Sequence, residues 1–334
     1  MRFCLAVLFA AAGLCACHAY DPLTADPLLR RRIGEPVDPA SAVEVAFLGN
    51  TTLVIRDNET TLLVDGFVSR PGPGLLRCAL GTIGPSKEII KKELAATSVT
   101  RIDAVLVGHA HHDHALDATA IADLYNTEVI GSNSFANIYE GCHDPNSNSK
   151  VTPIPREGGS RTFGGFVVEF IPSVHGARDS LIQRLIGGEI TSPLHLPAHI
   201  SRLKCGDVFA LRISHRQGEI VVTTTAGAKA GMLEGRKPSD VLFLSIGYLS
   251  KEKPKAQDFY WDQTVRATQP DVIVPVHWDD FTIPLSEGLK PATGLLGNTQ
   301  AAIEAVKSRA EQRDVRILNL RESVWIADGR VYIP

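Results

Sequence analysis

The run His109-Ala110-His111-His112-Asp113-His114 restricts this chain more than any other stretch, because it places four of the eleven histidines within six residues. It follows directly on an apolar stretch, 102–107, that predicts a short strand ending at Gly108. Packing alone has no use for so dense a cluster. Neutral imidazoles with a carboxylate suit a divalent metal such as zinc. In extended chain, residues i and i+2 point the same way, so His109 and His111 can grip one ion. A turn just beyond would let Asp113 and His114 face a second.

Around this cluster the pattern predicts strands over 43–48, 53–56, 61–64 and 128–130, then over 166–171, 208–213, 220–224, 241–246 and 272–276. It predicts helices over 86–96, 116–125, 258–268 and 298–312. Ser86 would cap the first, with Ile89, Ile90 and Leu94 on one face; Ile303, Val306 and Ala310 would share a face of the last. Strands mixed with helices in both halves, with no long polar linker between them, predict a single α/β domain with helices outside. Residues 177–206 make a long connection, with Leu181, Ile182, Leu185 and Ile186 at helical spacing. It is expected to be a lid, a surface helix or a packed helix.

The motif H-x-H-x-D-H after a strand resembles the metallo-β-lactamase superfamily, and the likeness runs from about Val43 to the C-terminus. Leu62-Leu63-Val64-Asp65-Gly66 resembles that family's first motif, whose aspartate supports the metal loop from behind. Ile171-Pro172-Ser173-Val174-His175 resembles the third motif, and Val274-Pro275-Val276-His277-Trp278 the last. The resemblance implies a four-layer αββα sandwich of two mixed β-sheets over 42–334. It also implies a first metal on His109, His111 and His175 and a second on Asp113, His114 and His277. The ions would be one or two Zn2+, with Mn2+ or Fe2+ as alternatives.

One departure stands out. The family's bridging aspartate falls in Val221-Val222-Thr223-Thr224-Thr225-Ala226-Gly227, where Thr225 and Ala226 supply no carboxylate. Asp279 and Asp280, beside His277, are the nearest substitutes. The resemblance implies a hydrolase that uses a metal-bound hydroxide, with Asp113 as the catalytic carboxylate. Phe47-Leu48-Gly49-Asn50-Thr51-Thr52-Leu53-Val54-Ile55, with His277-Trp278, looks like the branch holding ascorbate-phosphate lactonases and N-acyl-phosphatidylethanolamine phospholipase D. That branch implies a lactone, ester or phosphodiester, a small-molecule or lipid-like substrate. A β-lactam hydrolase and a non-catalytic, lipid-anchored binding protein are the rival readings.

The N-terminus carries its own signal. Arg2 precedes the apolar run 5–14, too short to span a membrane but suited to an export signal. Leu14-Cys15-Ala16-Cys17 resembles the site at which bacterial lipoproteins are cut and acylated. The expectation is a signal over 1–16, a membrane anchor through lipid on Cys17, and a linker over 17–41, in the periplasm or on the cell envelope. Cleavage after Ala19 would release a soluble product instead. Cys78, Cys142 and Cys205 match no metal knuckle and read as small buried hydrophobes. A net charge of −3 gives no reason to expect a nucleic-acid partner. His112, His143, His195, His199 and His215 are left without a special role.

Overall fold

The computed structural model describes residues 20–70, 72, 81–176 and 185–334. The signal sequence with Cys17, and Cys78, Leu181 and Ile182, therefore lie outside the described residues.

The first half of the chain provides strands Val43–Phe47 (β1), Leu53–Arg56 (β2), Thr61–Val64 (β3), Thr82–Ile83 (β4), Ala104–Leu106 (β5), Glu128–Gly131 (β6) and Lys150–Pro153 (β7). The second half begins with Gly159–Phe163 (β8), Phe166–Ser173 (β9), Ala198–His199 (β10), Val208–His215 (β11) and Gly218–Val222 (β12). Val241–Ser245 (β13), Val272–Val276 (β14), Asp314–Val315 (β15), Ser323–Ala327 (β16) and Arg330–Tyr332 (β17) complete it. Helices are Pro22–Ala25 (α1), Lys87–Ala95 (α2), His112–Ala115 (α3), Ala118–Tyr125 (α4), Asn133–Cys142 (α5), Pro254–Trp261 (α6) and Thr299–Lys307 (α7).

Two mixed sheets result. One runs β17-β16-β1-β2-β3-β5-β6-β7 and the other β15-β14-β13-β12-β11-β9-β8, with β4 and β10 forming a separate ribbon. Each sheet is antiparallel on one side and parallel on the other: the first changes where β3 meets β5, the second where β12 meets β13. The central strands β3, β5, β13 and β14 are buried along their whole length. They carry unbroken apolar runs because both of their faces are covered. Helices α4 and α5 pack on the first sheet, and Tyr260 of α6 bonds Ser245 O of β13 at 2.9 Å on the second. The architecture is an α/β, four-layer αββα sandwich of two mixed sheets.

Several local expectations shift. Ser86 caps α2 and Ile90 and Leu94 are buried, but Ile89 is 37% exposed, because it falls off the narrow face this short helix buries. Helix α6 starts at Pro254, four residues before the expected 258, since proline is well suited to a first helical position. The expected 116–125 helix starts at Ala118, and a separate helical turn, wound from the histidine cluster itself, precedes it over His112–Ala115. Strand β12 stops at Val222, so Thr223 and Thr224 turn their hydroxyls to Tyr260 Oη (2.8 Å) and Phe209 O (3.0 Å). Residues 20–41 do not stand off as a linker: Leu29 and Ile33 are buried, and Ile33 pairs with Ile333.

Candidate metal centre

Every candidate ligand sits just past a strand. Strand β5 delivers His109 to His114, β9 delivers His175 and β14 delivers His277. The seam between the sheets is tight there. Gly108 lies against Thr224, and a methyl group added at Gly108 would come within 2.3 Å of that side chain. Phe209 N donates to Gly108 O at 2.9 Å, tying β11 to the loop.

Two groups of three converge. The donor atoms of His109, His111 and His175 lie within 4.8 Å of one another, and so do those of Asp113, His114 and His277. The groups abut: the His109 and His114 rings are 3.9 Å apart between centroids. Within the first, His109 Nε2 and His111 Nδ1 are 3.1 Å apart. His111 Nε2 reaches Ile186 O at 3.3 Å and His175 Nδ1 reaches Gly176 O at 2.7 Å. Each carbonyl takes an N–H, which leaves His111 Nδ1 and His175 Nε2 as lone-pair donors. Within the second, Asp113 Oδ2 is 3.4 Å from His114 Nε2 and 3.2 Å from His277 Nε2.

The electrostatics agree with a cation between these groups. Burial, then the neighbouring imidazoles, holds His109 and His111 well below the ordinary histidine range, and burial brings His175 down to about 4. All three are neutral at physiological pH, so each has one ring nitrogen able to offer a lone pair. Burial disfavours ionised Asp113, but the charges of His114 and His112 overcome it and hold the carboxyl well below its usual range. Burial likewise opposes a charged His114, yet Asp113 and Asp65 push its pKa up to about 10. A buried set of three neutral imidazoles beside a carboxylate and two more imidazoles fits a divalent ion.

Residues behind the centre hold it in place. Asp65 accepts from His114 Nδ1 (2.7 Å), from Gly108 N (2.8 Å) and from the Thr51 hydroxyl. This fixes the His114 tautomer with Nε2 toward Asp113. Asn50 donates to Asp113 O through its amide, and its own carbonyl accepts from His277 N at 2.7 Å. Gly247 lets the His277 ring approach: an added methyl there would stand 2.6 Å from Nδ1. Asn50 and Thr51 served in the sequence only as a landmark of likeness; the turn-favouring Gly49-Asn50 pair between two strands was the available signal.

The structure corrects the expected substitutes for a bridging carboxylate. Asp279 is fully buried in an ion pair with Arg70 at 2.6 Å, and it accepts Asn50 N at 2.8 Å. Asp280 accepts from Thr282 N and its hydroxyl. Both carboxylates are used in shaping the loop after β14. Thr225 is engaged elsewhere, since its hydroxyl accepts Gly176 N at 3.0 Å and so clasps the His175 loop. His112 is buried between Phe67 and Phe281 and joins neither group. His143 stacks on Tyr139, and His215 faces Asp57 at 3.3 Å.

Residues 45–197 match the family described as the Metallo-beta-lactamase superfamily. That stretch resembles a metallo-β-lactamase superfamily domain. Among curated relatives of this domain, a UPF0173 metal-dependent hydrolase of Lysinibacillus sphaericus is 25% identical over 78% of the chain and 96% of the relative. Another, from Carboxydothermus hydrogenoformans, is 27% identical over 40% of the chain, spanning about half (49%) of that relative. Among solved structures, Igni18, a metallo hydrolase from Ignicoccus hospitalis, superposes with a TM-score of 0.50 at 16% identity, covering 85% of this chain and 98% of that one. The metallo-beta-lactamase fold protein YhfI from Bacillus subtilis gives 0.52 at 13%, covering 85% and 99%. These likenesses agree with the sandwich described above.

Proposed function

We propose that this chain is a metal-dependent hydrolase acting on a lactone, carboxylic ester or phosphodiester. The observation that carries this reading is the pair of abutting groups, His109/His111/His175 and Asp113/His114/His277. Those six residues would hold one or two divalent ions, zinc by the nitrogen-rich donor set, with manganese or iron as alternatives. A divalent metal here supplies Lewis acidity and makes hydroxide available at neutral pH.

The chain's own groups then do the rest. Asp113 stays ionised, so it can accept a proton from the attacking water and return it to the leaving group. Asp65 and Asn50 keep His114, Asp113 and His277 in fixed orientation. A cavity of about 360 Å³, lined by Ser173, Val174, His175, Cys205, Asp207 and Lys229 among others, lies against the first group and has room for a small molecule. The lack of a carboxylate at Thr225 or Ala226 favours one second reading, a binding protein that keeps the fold without turnover.

A panel of lactone, phosphodiester, ester and β-lactam substrates, with and without added zinc or manganese, separates these readings. Turnover of one of the first three, abolished in His111→Ala and Asp113→Ala proteins that still fold, is the expected result. A stable protein that hydrolyses none of them with either metal would be the binding module, and β-lactam turnover alone would mark the rival hydrolase.

The cellular setting is part of the same proposal. The leader motif around Cys17 supports export and lipid anchoring at the bacterial envelope, with no nucleic-acid partner. No helix among the described residues is long and apolar enough to cross a membrane. Fatty-acid labelling that persists in a Cys17→Ser chain would overturn the anchor.

A further inference from the structure

We propose that the two groups take up metal unequally: the Asp113/His114/His277 site fills first and holds tightly, and the His109/His111/His175 site fills second and exchanges readily. This rests on the reading that those six residues are the ligands, and it reverses the ranking that three clustered histidines suggest.

A shared carboxylate is what would make two such sites behave as one, and none is in place among the described residues. Thr225 Oγ1 is occupied by Gly176 N, and Ala226 has no donor. Asp279 is committed to Arg70 and Asn50, and Asp280 to Thr282. Each site must therefore attract its ion with its own donors.

Those donors differ in charge. The second site includes the Asp113 carboxylate, and the Asp65 carboxylate stands one ring behind His114. The first site offers three imidazoles and no carboxylate, and imidazole ligates a metal as a neutral donor. A dication leaving water for a buried site gains far more from anions in its immediate surroundings than from neutral dipoles.

They differ in bracing as well. Asp65 and Thr51 hold His114, while the Asn50 amide and carbonyl fasten the backbones of Asp113 and His277. His109 Nδ1, buried in the first site, has no hydrogen-bond partner. His175 is only half-buried and borders the open cavity. A ligand whose outer contact is missing, as at His109 Nδ1, binds metal less well, by about 10–100-fold in measured cases. The consequence is a centre whose second ion follows the free metal concentration around it.

The test is calorimetric titration of the metal-stripped full chain with zinc, with native mass spectrometry to count ions. Two steps are expected, the second at least about tenfold weaker. Asp113→Asn, which keeps the shape and removes the charge, should abolish the strong step, and His277→Ala should do the same. His175→Ala should abolish the weak step and leave the strong one. Equal steps, a strong step that survives both Asp113→Asn and His277→Ala, or a strong step lost in His175→Ala would each overturn the proposal while leaving the metal reading intact. No zinc uptake at all would overturn both.

Discussion

Asp65 shows how much of the centre rests on a residue that touches no metal position. It sits at the end of β3 with φ +54° and takes three donors from three segments: the Thr51 hydroxyl, Gly108 N and His114 Nδ1. An amide at this position keeps the volume but presents an N–H to at least one of those donors. Asp65→Asn should therefore weaken zinc binding about 10–100-fold while the chain still folds. Competition against a chromophoric chelator measures it, and an unchanged affinity would remove Asp65 from the supporting role. Thr225 acts on the other side of the centre. Valine there fills the same space and leaves Gly176 N without its acceptor, at a cost of about 1–3 kcal/mol. Urea denaturation of Thr225→Val reads that loss directly; no change would mean that the clasp contributes nothing.

Between elements, the seam where β5 meets the second sheet is the least forgiving place. Gly108 has no room for a methyl group because the Thr224 side chain fills the space. Gly108→Ala should destabilise the chain by about 1–3 kcal/mol, the usual cost of overpacking. Thr224→Ser in the same chain removes the obstructing methyl and should recover part of that loss, whereas a Gly108→Ala protein as stable as the parent would refute the close approach. The elements that build this seam were legible in the sequence because β5, β9 and β14 are apolar runs that each lead to a histidine. Strands β7 and β8 were not. Their residues are largely exposed, as suits sheet margins, and carry no run of apolar side chains. Strand β16 exists through pairing with β1, almost the whole chain away, which periodicity cannot register. The same distance hid the contacts behind the metal positions: Asn50 and Asp279 meet across 229 residues. The expected carboxylates at 279 and 280 looked available only because Arg70 and Thr282 were not visible as their partners.

Across the whole molecule, strand ends of both sheets meet at one seam, and gathering six titratable candidate ligands there links folding to pH. Unfolded histidines titrate near about 6.5. In the folded, metal-free chain burial holds His175 at about 4, with His109 and His111 also far below their ordinary range. As pH falls below about 6.5, the unfolded chain binds protons that the folded chain refuses, so stability drops toward acid. His114 runs the other way. With its pKa raised to about 10, the folded chain keeps a proton that the unfolded chain has released. The stability this gives is complete below about 6.5 and is lost as pH rises through about 10. The two opposed limbs predict that the metal-stripped chain is most stable near pH 6.5. Urea midpoints measured from about pH 4 to 10 should trace that dome, and His114→Gln should flatten its alkaline side while leaving the acid side. Saturating zinc should remove the alkaline limb in the parent chain too, because a liganding His114 has already given up its Nε2 proton. A midpoint that stays level from pH 6.5 to 10 in the stripped parent chain would show that His114 does not carry the charge its two carboxylate neighbours are placed to stabilise.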